Sequence, residues 1–100
     1  MTTYAEELAA NRRLAILRLL VEDRGQANDS VLELALRHMG HPSVTRDYVR
    51  EQLRFLNDAG CVTIEFFKDR VMVASLTRRG ADAVRGAITV EGVAHPGFGD

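Results

Sequence analysis

Tryptophan is absent from the chain, cysteine occurs once and proline twice. A lone cysteine closes no internal disulfide and builds no zinc site by itself. No apolar stretch is long. The run from Leu14 to Val21 is broken by Arg18, and a bilayer-spanning helix needs about 20 residues, so a transmembrane span is excluded. Basic charge ahead of an apolar segment is missing too. The sequence begins Met1-Thr2-Thr3-Tyr4-Ala5-Glu6-Glu7, which is acidic. No secretory signal is therefore expected, and the expected compartment is the cytoplasm. Nor is there an overall basic excess. The formal net charge is −1 over 100 residues, which taken alone speaks against nucleic-acid binding, where a basic balance is the usual footprint.

What is present is an ordinary globular composition, 46% apolar and 27% charged, at a length that suits one domain. A chain of this size buries only about two-thirds of the surface its unfolded form exposes, so homodimerisation is an expected way of adding burial. The charge is unevenly spread. Residues 43–86 carry a net +2, whereas 1–42 and 87–100 are both net acidic.

From Tyr4 to Asp23, Leu8, Leu14, Ile16, Leu17, Leu20 and Val21 recur at helical spacing, with Arg12, Arg13, Arg18 and Glu22 between them. This pattern predicts an amphipathic helix with a wide apolar face. Gly25 supplies its stop, because glycine adopts the left-handed conformation cheaply. Asn28-Asp29-Ser30 offers a choice of N-caps for a second helix over about 31–39, where Ser30-Val31-Leu32-Glu33 reads as a capping box and Leu32, Leu36 and Met39 form the buried stripe. Gly40-His41-Pro42 ends that helix. Thr45 caps a third, Val44 and Val49 stand at the two positions of a hydrophobic staple, and Val49, Leu53 and Leu56 share one face. Two short helices joined by so tight a connection read as a helix-turn-helix.

After Gly60 the period changes. Cys61 to Phe67 and Val71 to Leu76 alternate and are rich in β-branched and aromatic residues, and Lys68-Asp69-Arg70 joins them as a charged hairpin tip. Phe66 and Phe67 are consecutive, so one of the two is expected to be half exposed. Thr77 caps a short fourth helix to about Arg85. Residues 87–100 are expected to form an irregular tail, with Ile88, Val90, Val93 and Phe98 laying part of it against the domain of residues 1–86.

The order helix, helix, helix, hairpin, helix resembles the winged helix-turn-helix domain, an α+β fold with a three-helix core, a two-stranded β-hairpin wing and a short C-terminal helix. Val49, Leu53, Leu56 and Gly60, then Leu76-Thr77-Arg78-Arg79-Gly80 leaving the wing, resemble the MarR and PadR groups of bacterial regulators. The tail from Glu91-Gly92-Val93 to His95-Pro96-Gly97 is similar to small winged-helix proteins of Mu-like prophages. The long C-terminal dimerisation helices of MarR proteins are missing, so their dimer geometry and effector pocket do not carry over.

The resemblance implies sequence-specific binding of double-stranded DNA by a small bacterial or prophage transcription regulator. The second helix of a helix-turn-helix pair enters the major groove by its N-terminal half. Here that half presents Thr45, Arg46, Asp47, Arg50 and Arg54, and its arginines suit either a guanine edge or phosphates. Arg50 is the expected base-edge contact. Lys68 and Arg70 at the wing tip suit the sugar-phosphate backbone. Asp47 and Glu51 oppose phosphate attraction and are potential ion partners of Arg50 and Arg54. The competing expectation is a winged-helix module that docks protein without binding DNA. Phe55 is expected to pack under the first helix. His38, His41, His95 and Cys61 match no metal-binding spacing, and no phosphate loop or nucleophile elbow is present. The chain is thus read as a non-enzyme without cofactor or metal, and no effector is indicated.

Overall fold

The computed structural model describes residues 1–98. Helix α1 runs Tyr4–Glu22 and starts with a reciprocal cap. The Thr3 hydroxyl accepts from the Glu6 N–H and the Glu6 carboxylate accepts from the Thr3 N–H, both at 3.1 Å. Leu14, Ile16, Leu17 and Leu20 are buried, whereas Val21 is exposed. Gly25, at φ +93°, closes the helix by donating its N–H to the Leu20 carbonyl.

The chain then does something its local pattern does not signal. Gln26–Asn28 forms a short strand, β1. Asn28 ends that strand and caps helix α2, Asp29–His38, its side-chain oxygen accepting from the Val31 N–H at 2.9 Å. The capping box expected of Ser30 and Glu33 is therefore not formed. The strand delivers the chain to the helix two residues earlier, and Glu33 pairs with Arg37 at 2.9 Å. Met39, expected in the buried stripe, stands just past the helix end and is half exposed.

Helix α3, Arg46–Asp58, begins as expected at Thr45, whose hydroxyl accepts from the Tyr48 N–H. Val44 and Val49 are both buried, and Val49, Leu53 and Leu56 are wholly inaccessible. Strands β2, Val62–Phe67, and β3, Val71–Leu76, form the expected hairpin, followed by α4, Arg78–Val84, capped by Thr77. The sheet is antiparallel in the order β1-β3-β2. Its registers run from Val62 opposite Leu76 to Phe67 opposite Val71, and from Gln26 opposite Ser75 to Asn28 opposite Val73. Lys68 and Asp69 at the hairpin tip both have positive φ, as a type I′ turn requires.

Ala27, Val62, Met72 and Ala74 of the sheet pack with the buried leucines of α1, α2 and α3 in one core. Burial falls off along β2 toward the tip. Phe66 and Phe67 are accordingly both exposed, at 49% and 60%, where only one was expected to be. The tail from residue 87 is irregular up to a single 3-10 turn at Pro96–Phe98. It returns across α1, with Val90 and Val93 buried and the Ala94 N–H donating to the Ala10 carbonyl. The Phe98 side chain and residues 99–100 lie outside the described part. Phe55 packs between the tail and α1, under the Arg13 guanidinium at 3.6 Å from its ring centre. Among the described residues no helix is long and apolar enough to cross a membrane.

Candidate nucleic-acid interface

The start of α3 and the hairpin tip are joined through one carboxylate. Asp29 is the first residue of α2, yet its side chain is wholly buried. One oxygen, Oδ1, accepts from the neighbouring Ser30 N–H at 2.9 Å. The other, Oδ2, accepts from Arg50 Nε at 2.6 Å, from Arg46 Nε at 3.0 Å and, more weakly, from the Met72 N–H at 3.4 Å. Both arginines then reach the hairpin turn, where each Nη2 donates to the Arg70 carbonyl oxygen, Arg46 at 2.8 Å. The Arg50 guanidinium also lies 5.8 Å from the Phe66 ring centre. Three separate stretches are thereby fastened together: the α2 start, the first turns of α3, and the hairpin tip with the adjoining start of β3.

Helical spacing explains why two arginines converge. Residues four apart stack on one face, so Arg46 and Arg50 reach the same side of α3 and one carboxylate serves both. Burial pushes the Asp29 carboxyl up, but the hydrogen bonds from Arg50, Arg46 and the Met72 N–H, with the Arg46 charge, outweigh it and hold the group below its ordinary value. An acid whose folded pKa is depressed stabilises the fold above its unfolded pKa, about 3.9, and that contribution is lost as pH falls through the folded value. Urea unfolding followed from pH 7 into acid should therefore show a declining midpoint below about pH 4. In an Asp29→Asn protein the decline should be shallower; an unchanged acid limb would remove Asp29 as its source.

The other expected site residues are distributed as follows. Thr45 spends its hydroxyl oxygen on the α3 cap. Asp47 and Arg54 are exposed on the α3 surface, and Lys68 and Arg70 are exposed at the hairpin tip. Lys68 Nζ lies 5.5 Å from the Phe67 ring centre. The ion partner of Arg50 is Asp29 and not Asp47 or Glu51. Asp29 and Phe66 are the members that sequence reasoning missed. An aspartate in a first helical turn reads as a dipole complement, and nothing in the local pattern links it to arginines 17 and 21 positions later.

Two further groupings serve the scaffold. Arg12 Nε donates to His41 Nδ1 at 3.0 Å and stacks on Tyr48, which braces the connection between α2 and α3. Burial and the Arg12 charge hold the His41 imidazole below its ordinary pKa. Cys61 is buried, which pushes its thiol up, against a smaller pull from Arg79. Among the described residues no group of three His, Cys, Asp or Glu side chains is placed to hold a metal.

Comparison with known proteins places this geometry in context. No family profile matches the chain. Protein gp26 of Escherichia phage Mu is 40% identical over 89 residues, covering 89% of this chain and 91% of gp26. A Haemophilus influenzae protein is 40% identical over 77 residues, covering 77% of this chain and 74% of its own length. Among solved structures, the RosR complexes hsRosR-S4 and hsRosR-S1 superpose with a TM-score of 0.65 at 23% identity over 73% of this chain. The match spans 62% and 63% of the two RosR chains, under two thirds of their length. The likeness to RosR is one of fold.

Proposed function

Because this chain belongs to the family of phage Mu protein gp26 and shares the fold of RosR, we propose that it is a winged-helix protein binding double-stranded DNA sequence-specifically, a small prophage or bacterial transcription regulator of the cytoplasm. In this reading α3 is the recognition helix, with Thr45, Arg46, Asp47, Arg50 and Arg54 on the DNA side. The β2–β3 hairpin is the wing, with Lys68 and Arg70 along the backbone. The MarR and PadR likeness of Leu76-Thr77-Arg78-Arg79-Gly80 belongs to the same reading. The observation that carries it is the fastening of Arg46 and Arg50 to the wing tip. In this reading helix and wing present Arg46, Arg50, Arg54, Lys68 and Arg70 together, on a chain whose net charge is −1. Distribution outweighs net charge here, since binding depends on local cations that displace counterions from phosphates.

The test is titration against a random-sequence duplex pool at several salt concentrations. Salt-sensitive binding with enrichment of a subset of sequences is expected; no binding to any duplex removes the regulator reading and leaves protein docking in its place. Within this scheme Lys68→Ala and Arg70→Ala should weaken binding equally on a selected and a scrambled duplex. Each should flatten the slope of log K against log salt by about 0.9 for the phosphate contact it removes. A loss confined to the selected duplex would reassign these residues to base reading.

The same reading includes a homodimer. The first turns of α1 and the tail flank a groove of about 660 Å³ lined by Ala9, Arg13, Phe55 and Val93. Sedimentation of the full chain should give a dimer at micromolar concentration. Removing residues 87–100 should weaken dimerisation and lower the melting temperature, because Val90 and Val93 leave the core. A full chain that stays monomeric at high micromolar concentration overturns the dimer.

A further inference from the structure

We infer that Arg46, Arg50 and Asp29 form a preset clamp for one backbone phosphate of the DNA, with Asp29 as its positioning residue. The inference rests on the DNA-binding reading and assigns the chemistry of that surface.

A guanidinium has two donor edges. In both arginines the edge made by Nε and Nη2 is consumed inside the protein, by Asp29 and by the Arg70 carbonyl. Among the described residues neither Nη1 has a hydrogen-bond partner. The outer edge, Nη1 with the second N–H of Nη2, therefore remains to be satisfied. These side chains are 41% and 23% exposed, so that edge reaches solvent while the stem is held. This outer edge pairs bidentately with two acceptors, as a phosphate or a guanine edge offers.

Position selects between the two. A recognition helix lies in the major groove, and in the proposed reading the hairpin tip follows the sugar-phosphate backbone at the edge of that groove. The strand between two adjacent grooves is the sugar-phosphate backbone. Arg46 and Arg50 span from the first turns of α3 to the wing tip, so they lie over that strand and not over a base edge. This moves Arg50 from the expected base contact to the backbone, and leaves Asp47 and Arg54, farther from the wing tie, on the groove side. Charge agrees. Two guanidiniums against one buried carboxylate leave a single positive charge, which one phosphodiester neutralises. Asp29 also orders both long side chains before DNA arrives, which lowers the entropy lost on binding.

Asp29→Asn separates this inference from simple charge counting. The substitution removes a negative charge next to the DNA, so charge counting alone predicts tighter binding. A positioning role predicts the reverse, roughly tenfold weaker binding to a random-sequence duplex for one lost charge-assisted contact. The salt slope should also be shallower by about 0.9. A protein that is merely less folded would keep its slope, so circular dichroism and the slope together identify the cause. Should Asp29→Asn fail to fold, Arg46→Lys and Arg50→Lys decide, because they keep the charge but lose the bidentate edge. Each should weaken binding by the same factor on a selected and on a scrambled duplex. Folded Asp29→Asn protein that binds as tightly as the parent or more so overturns the clamp. So does a lysine-variant loss confined to the selected duplex, which would mean guanine reading. Wild-type protein that binds no duplex fails the regulator reading itself, a separate outcome.

Discussion

Leu53→Ala is expected to destabilise the protein by about 2–5 kcal/mol, through lost transfer free energy plus the cavity left behind. Leu53 is wholly inaccessible and sits in the middle of α3, between Val49 and Leu56 on the same buried face. The core that Leu53 joins is built by separate elements: Leu17 and Leu20 on α1, Leu36 on α2, Val62 on β2. A site walled by several elements collapses poorly, which favours the upper part of that range. Urea unfolding checks it as a lowered midpoint with an unchanged slope. A cost under about 1 kcal/mol, typical of a surface site, would place Leu53 outside the core and rotate the whole exposed face of α3, Arg46 and Arg50 included.

Gly80→Ala should destabilise by about 1–3 kcal/mol, the range for forced overpacking. Helix propensity argues the other way, since alanine is favoured over glycine by about 1 kcal/mol in a helix. The decisive fact is distance. A Cβ on Gly80 would lie 2.2 Å from the Cys61 carbonyl oxygen and 2.8 Å from Leu76 Cδ1. The leucine methyl ends a flexible side chain, but the carbonyl is backbone and is already held by the Thr77 N–H at 3.0 Å. The junction around it is further tied by the Thr77 hydroxyl donating to Gly60 and by Arg79 Nε donating to Ala59. Relief therefore requires α4 to move off the entry of β2. A calorimetric melting temperature that rises in Gly80→Ala would refute this close approach.

Periodicity made most of the scaffold legible in the sequence. The face of Val49, Leu53 and Leu56, the Val44–Val49 staple and the caps at Thr45 and Thr77 are local features, and each stands where expected. What escaped was decided by partners remote in sequence. Gln26-Ala27-Asn28 is too short and polar to show strand alternation, and it is a strand because β3 offers it a pairing edge. That pairing in turn decided among the three caps that Asn28-Asp29-Ser30 offered, in favour of Asn28. The candidate site was legible as a list of cations on α3 and the hairpin tip. Its organisation was not, because it depends on a buried aspartate that only the packed α2–α3 pair brings to Arg46 and Arg50.

The order of the sheet also bears on how safely this protein exists among copies of itself. With β3 in the middle, β1 and β2 are the two free margins. The β1 margin is only three residues long and offers little template for another chain. The β2 margin is longer, and Val62-Thr63-Ile64-Glu65-Phe66-Phe67 has the β-branched, aromatic, weakly charged character of a segment that stacks into intermolecular cross-strand assemblies. Glu65 within it and the Lys68-Asp69-Arg70 turn beyond it act as gatekeepers, placing charge where a second strand would have to align. The charges at this margin thus serve solubility, and a substitution that neutralises the turn would expose the strand to aggregation while leaving the core intact.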